Sequence, residues 1–505
     1  LKKVVLSLED DLRDRVAALP DVDAAWRGQH AQAVGRERTA MSWQAWRDDR
    51  VTQAAVAWVL TSVFVRFCED NRLLKPVWIA GPGARRQEAL DAQLQYFREN
   101  PEHTDREWLL QAVEHFAALR ATRELVGTHS PLWTVSPSGQ AVQALLTFWR
   151  QTRDDGSLVW DFTDDDLSTR FLGDLYQDLS DYAKKTFALL QTPEFVEEFI
   201  LDQTMEPALA ERPLEGFRMI DPTCGSGHFL LGAFARLNDR WARHAPGLEP
   251  RARVQKALDA VHGVDLNPFA VAIARFRLMV AALQACEETS LEDAPGFTFH
   301  LAAGDSLLHG GHQLEIPLEG FDASSQISGF AYDTEDLTKL REILTPGRYD
   351  TVVGNPPYIT VRDASAKRAY KSLYGACHGL WVLSVPFMER FFQLAKGQPE
   401  HEPAGWTGFI TSNSFMKREF GTKLITKFLP TVELDLVVDS EGVWMPGHNM
   451  DGTPTVIIVG RNRRPTTSSV RTVVGKGRRE SREVGANGQG PLWQRILANI
   501  QGSPF

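Results

Sequence analysis

From about residue 217 the chain alternates short β-rich runs with helical ones, and this alternation constrains its fold more than any other feature. The runs "FRMI", "AVHGVDL", "FTFHLAA", "YDTVVG", "GWTGFIT", "VELDLVVD" and "TVIIVG" read as strands. Between the early ones lie "HFLLGAFARLNDRWARH" and "PFAVAIARFRLMVAALQAC", which read as helices. Strand and helix in alternation imply a mainly parallel sheet covered by helices on both faces, an α/β fold.

The first 150 or so residues follow a different rhythm. They are rich in Ala, Leu, Arg and Trp, with apolar residues three and four apart, as in "WLLQAVEHFAALRATREL", and predict an almost entirely helical region. A Ser, Pro, Gly and Asp-rich interval then runs from "HSPLWTVSPSG" to "FTDDDLSTR". It sets a boundary near residue 165. A second boundary follows Gly460, where "RNRRPTTSSVRTVVGKGRRESRE" carries eight basic residues against two acidic ones. The expected organisation is thus a helical domain over 1–165, an α/β domain over 166–460, and at 461–505 a basic linker or the start of a truncated DNA-recognition region. The segment from His309 to Glu335 reads as one long surface loop. The chain begins at Leu1 rather than Met and ends in what reads as continuing sequence, so a piece of a longer protein is expected.

An apolar share of 43% and a charged share of 24% are ordinary for a globular protein, and the length allows a large core. The cysteines at 68, 224, 286 and 377 form no CxxC pair, which argues against a thiolate metal site or a disulfide framework and for a reducing cytoplasm. The most apolar run, Ala54 to Val65, is too short to span a bilayer and predicts a buried helix, so no membrane partner is expected. A net charge of −10 means that nucleic-acid binding would have to rest on local patches.

Open α/β sheets bind ligands at the carboxyl ends of their strands, and the informative residues lie there. After "FRMI" comes Asp221-Pro222-Thr223-Cys224-Gly225-Ser226-Gly227, a turn whose two glycines let backbone approach a ligand closely as the next helix begins. Asp221 could receive a cationic group or order the loop. The next strand ends at Asp265-Leu266, where the carboxylate could accept both hydroxyls of a ribose. Asp265 lies 38 residues beyond Gly227, and Leu230 stands where a third glycine would fall, so a dinucleotide fingerprint is disfavoured. A third strand ends at Gly304-Asp305-Ser306, and Asp305 could accept an adenine amino group. A single such Asp reads as a helix cap; three in succession do not.

The fourth strand runs into Asn355-Pro356-Pro357-Tyr358. The Asn355 side-chain carbonyl and the Pro356 main-chain carbonyl are two acceptors on a rigid turn, able to grip both hydrogens of an exocyclic amine. The amine nitrogen is left free to attack, and its rate would come from placement rather than from a base. Tyr358 offers a ring on which a base could stack. His309 and His312 in "HGGH" lack further ligands in sequence and read as a plain loop, so no metal is expected. Cys224 reads as a packing residue rather than a nucleophile.

The motifs "DPTCGSGHFL", "GVDLNP", "GDSL" and "NPPY", in this order, resemble those of the adenine-N6 DNA methyltransferases. "LGDLYQDLSDYAKKTFALLQTPEFVEEFIL" is similar to the segment before the core in type I and type IIG modification enzymes, and the helical "RVTQAAVAWVLTSVFVRFCEDNRLL" to the lead-in of the methyltransferases of type 2 BREX phage-defence systems. The resemblance covers roughly residues 165 to 460. It implies a Rossmann-like methyltransferase sheet, S-adenosyl-L-methionine as cofactor, double-stranded DNA and other defence-system proteins as partners, and a flipped adenine as substrate. It also implies that Thr192-Pro193 closes over the methionine end of the cofactor. Leu189-Leu190-Gln191 depart from the aromatic and glycine usual before that turn, which weakens this contact. Two other readings remain open on the residues alone. One is methylation of another amine or amide, such as a protein glutamine or an RNA guanine. The other is a non-catalytic DNA-binding or cofactor-sensing subunit.

Overall fold

In the computed structural model, which describes residues 1–173, 175, 192–310, 330–398, 402–440, 454–475, 489 and 491–501, one eight-stranded sheet organises the second half of the chain. Its strands are β1 (Met219–Asp221), β2 (Val261–Asp265), β3 (His300–Ala303), β4 (Thr351–Gly354), β5 (Trp406–Ser412), β6 (Glu433–Asp439), β7 (Thr455–Arg461) and β8 (Arg471–Val474). They lie in the order β3-β2-β1-β4-β5-β7-β6-β8. The first five run parallel, with Ile220 paired to both His262 and Val352. β7 enters antiparallel between β5 and β6.

All seven expected strands form, because each alternates side chains between two buried layers. Met219, Leu301, Val353 and Ile410 face one layer; Ile220, Ala302, Val352 and Phe409 face the other. This is the three-layer, Rossmann-like arrangement that the alternation and the methyltransferase-like motifs predict. The chain winds from β1 through β2 to β3, then returns to place β4 on the other side of β1. The strand order therefore switches between β1 and β4, and a crevice opens there at the carboxyl ends.

Among the described residues the leading helices are α1 (Lys2–Ala18), α2 (Pro20–Gly35), α3 (Trp43–Asp70), α4 (Arg85–Glu99), α5 (Asp105–Ala118) and α6 (Gly139–Trp149). Then come α7 (Glu194–Glu211), α8 (His228–His244), α9 (Pro250–Asp259), α10 (Pro268–Ala285), α11 (Leu337–Ile343), α12 (Ala364–Leu373) and α13 (Ser384–Leu394). The buried apolar cluster of the leading helices runs without a break into one face of the sheet. At the join, Phe64 of α3 stacks on Phe276 of α10 with ring centres 4.2 Å apart.

Three expectations need amendment. The apolar run at 54–65 is only the middle of a 28-residue helix, long and apolar enough to cross a membrane by composition. Its apolar window is wholly buried, which makes it the core helix of the lead-in. The segment from His309 to Glu335 is no mere surface loop at its ends: both residues are buried and face one another at 3.6 Å. Its middle, with His312, lies outside the described residues. Within the basic stretch after Gly460, Arg471–Val474 adds β8, parallel to β6. This edge strand buries little, so apolarity could not reveal it.

Candidate active site

Three strand ends around the crevice share one local device. Asp221 accepts from the backbone N–H of Thr223, Asp265 from that of Asn267 and Asp305 from that of Leu307, at 2.8–2.9 Å. Each acid thus caps its own turn two residues on, fixing the backbone as it leaves the sheet. The second oxygens have separate tasks. Asp265 accepts from the Gly225 N–H at 2.9 Å, binding the glycine loop to β2. Asp305 accepts from the Tyr370 hydroxyl of α12 at 2.5 Å.

The glycine loop needs its glycines for different reasons. Gly225 and Gly227 both adopt left-handed backbone, φ +51° and +85°. A side chain at Gly227 would stand 2.9 Å from the Ala274 Cβ, whereas one at Gly225 would meet nothing within 4 Å. Gly225 therefore faces open space and Gly227 seats α8 against α10. Cys224 and Ser226 point inward. Cys224 packs against Gly263, and burial raises its thiol well above the ordinary value. The Ser226 hydroxyl stands 3.4 Å from His228 Nδ1, and its carbonyl accepts from Arg277 at 2.8 Å. Only their backbone can serve a ligand on the loop's outer side. The Ser306 hydroxyl is likewise engaged, donating to the Pro222 carbonyl at 2.7 Å.

Asn355 stands where β4 leaves the sheet. Its Nδ2 donates to the Thr192 hydroxyl at 3.2 Å, and its Oδ1 accepts from the Tyr358 hydroxyl at 2.6 Å. Thr192, 163 positions before Asn355, thus joins Asn355 and Tyr358 in one chain of hydrogen bonds. The preceding Gly354 closes the crevice: a Cβ there would lie 2.6 Å from Asp221 Oδ1 and 2.8 Å from Thr223 Oγ1. Pro356 is buried; Pro193, Pro357 and Tyr358 are half-buried at the rim.

The charge balance of the crevice is unusual. Burial pushes the Asp221 carboxyl up to about 8 and that of Asp265 up to about 6; the charge of Asp265 raises Asp221 further. Among the described residues no lysine or arginine offsets either of them. Two under-compensated acids beside an open glycine loop suit a ligand carrying positive charge. Leu266, 53% exposed immediately after Asp265, gives that ligand an apolar surface. These features fit an S-adenosylmethionine-like molecule, with its sulfonium, ammonium, ribose and planar base.

The model of the Eco57I restriction-modification methylase family matches residues 259–443, a span holding Asp265, Asp305 and Asn355. Over almost its whole length the chain is similar to an adenine-specific methyltransferase. That relative, PglX of Streptomyces coelicolor, is 48% identical over 99% of this chain, and the chain spans 42% of its length. The restriction enzyme and methyltransferase RM.Eco57I of Escherichia coli is 25% identical over 48% of this chain and 24% of its own. A nuclease-deletion mutant of the Type ISP restriction-modification enzyme LlaGI, solved with a DNA substrate mimic, shares the fold. Its TM-score is 0.50 at 13% identity, covering 94% of this chain and 35% of that one.

Several residues that shape the site escaped the sequence reading. Gly354 adjoins a motif, yet its need for a missing Cβ comes from Asp221, on another strand. Tyr370 sits 65 residues from the acid it holds, with no local mark. Glu197, pushed by burial up to about 8 against the pull of Arg277, packs where a side chain on Gly232 would stand 2.3 Å from its Oε1. A Gly inside a helix was the available signal for that approach.

Proposed function

We propose that the chain is the catalytic part of an S-adenosylmethionine-dependent DNA methyltransferase acting on N6 of adenine, in a phage-defence system of the BREX kind. The observation that carries this reading is Asn355, held from both sides by Thr192 and Tyr358 on a Pro-Pro turn, beside an acid-flanked glycine loop. In this reading Gly225 and the loop backbone hold the methionine part, Asp221 faces its positive charge, Asp265 takes the ribose, and Leu266 and Asp305 border the adenine. The cofactor supplies an electrophilic methyl on sulfur.

The chain's residues place the amine for that transfer. Asn355 Oδ1 has a second lone pair besides the one engaged by Tyr358, and with the Pro356 carbonyl it accepts both amine hydrogens. The N6 lone pair is then directed out of the base and at the methyl. The cofactor, held by the glycine loop, Asp221 and Asp265, would supply the methyl with its sulfur as leaving group, and the amine would give up its surplus proton to solvent. No side chain has to act as a base, so the neutral amide suffices.

DNA as the substrate is supported by the loops after β4 and β5. Residues 355–384 and 413–431 carry eight basic residues against two acidic ones, although the whole chain is at −10. Lys417 and Arg418 at the end of β5 are exposed, as phosphate contacts must be. A cytoplasmic location and defence-protein partners follow from the same reading, supported by the likeness to PglX.

The test is methyl transfer from labelled cofactor to DNA, with long-read sequencing of the product and a release-factor-like protein as the competing substrate. N6-methyladenine in one sequence context is expected, and Asn355→Ala should lower the rate by about 10²–10³, the usual cost of losing a preorganised polar group. Label on the protein alone, or an unchanged rate in the variant, would overturn the reading.

A further inference from the structure

Leu380 is 80% exposed, more than any other large apolar residue described in the chain. Single exposed leucines are common and need no function. This one differs in how it is held.

The turn that carries it is anchored on every side. Its neighbours Cys377 and Trp381 are buried, and Gly379 between them takes left-handed backbone at φ +61°. The Ala376 N–H donates to the Glu389 carboxylate at 2.6 Å. Trp381 meets Tyr370, the residue bound to Asp305, edge to face at 6.3 Å. The Leu383 N–H donates to the carbonyl of Ile359, the residue directly after Tyr358, at 2.9 Å. A flexible loop could tuck a leucine away, whereas this turn is held by these bonds and leaves one apolar side chain in solvent, three residues before the link to the segment after Tyr358. The loops after β4 and β5 also carry exposed basic residues, among them Lys371, Lys417 and Arg418.

We infer that Leu380 is a wedge that enters the base stack where the target adenine has left it. The inference rests on the DNA methyltransferase reading. Extruding a base opens a gap whose walls tend to collapse, and an apolar side chain inserted between base steps keeps the nucleotide outside. A leucine suits the task because the gap is lined by base faces and offers no polar partner. Anchoring matters as well, since a mobile side chain would have to be ordered at each encounter. Leu380 is thus a positioning residue. It acts on the duplex, while Asn355 and Pro356 hold the amine.

The test uses the whole chain and two duplexes bearing the site found by sequencing. In one the target adenine is paired with thymine; in the other it faces an abasic position and flips with little resistance. Leu380→Ala should slow methylation of the paired duplex by about tenfold or more and of the abasic one by less than about twofold, tenfold being ~1.4 kcal/mol in the barrier. Cofactor affinity by calorimetry should stay the same. Leu94→Ala, an exposed leucine on α4, should leave both rates unchanged. Equal slowing on both duplexes, or none on the paired one, would overturn the wedge while wild-type activity still supports the methyltransferase. A wild-type chain that modifies no adenine would overturn both.

Discussion

The hydroxyl of Tyr358 donates to Asn355 Oδ1 across 2.6 Å, so the tyrosine touches the same carbonyl that an incoming amine needs. Its ring and its hydroxyl therefore have separable roles. Tyr358→Phe keeps the stacking face and frees a lone pair, so its kcat/KM should lie within about threefold of wild type. Tyr358→Ala removes the face and should lose about 10- to 100-fold, from a stacking contribution of ~1–3 kcal/mol. Initial rates on DNA decide the matter. A Phe variant as impaired as the Ala variant would show that the hydroxyl, not the ring, matters.

Gly354 gives a second prediction. A methyl group there would press on Asp221 and Thr223, and also on Phe391 at 2.9 Å. Gly354→Ala should destabilise the chain by about 1–3 kcal/mol, as overpacking usually does. It should also weaken cofactor binding, because Asp221 is displaced. Gly225→Ala meets no neighbour and should cost only the ~1 kcal/mol of a left-handed alanine. Thermal denaturation ranks the two. Equal losses would mean that the close approach at Gly354 is not rigid.

How much of this was legible beforehand depended on distance along the chain. The seven strands, the acids that end three of them and the Asn355 turn are marked locally, by apolar runs and by residues at fixed offsets from their ends. β8 was missed because only one of its edges pairs and its side chains are half exposed. The Tyr370–Asp305 and Thr192–Asn355 bonds join residues 65 and 163 positions apart, and periodicity carries no information on such partners. Nor could spacing tell that Cys224 and Ser226 turn inward while Gly225 faces out, since that depends on how α8 seats against α10.

Asp221 and Asp265 predict that cofactor binding is linked to protons. Burial raises Asp221 to about 8, so near pH 7 most of it is protonated in the free protein. A cationic ligand lowers that value, so binding should expel up to about one proton at pH 7. Calorimetry in two buffers of different ionisation enthalpy measures it. Release should fade above about pH 9, where Asp221 is already ionised. Affinity should fall as the pH drops below about 6, where Asp265 takes up a proton and loses acceptor capacity. Proton uptake on binding would contradict the assignment of positive charge to this crevice.

A buried ion pair ties the leading helices to the site. Arg38 Nη2 meets both oxygens of Glu335 at 3.0 and 3.3 Å, and both side chains are almost wholly enclosed. The adjoining Thr39 hydroxyl and Ala40 N–H donate to Asp363, which also caps α12, the helix carrying Tyr370. Burial works to raise the Glu335 carboxyl, but the hydrogen bond from His309 and the charge of Arg38 outweigh it and bring it down to about 2. Arg38→Ala would strand that carboxylate, at a cost of about 3–5 kcal/mol at neutral pH. The sign with pH follows from the direction of the shift. A carboxyl lowered in the folded state adds stability above its ordinary value of 4.5 and loses it as the pH falls towards the folded value. The denaturation midpoints of wild type and variant should therefore lie far apart at neutral pH and converge on acidification below 4.5. A gap that stays constant with pH would mean that Arg38 stabilises by packing rather than by its charge. The same variant should weaken the hold of Asp363 on α12, and with it the bond from Tyr370 to Asp305. Its cofactor affinity should then fall even where the fold persists, as titration calorimetry on the folded variant would show.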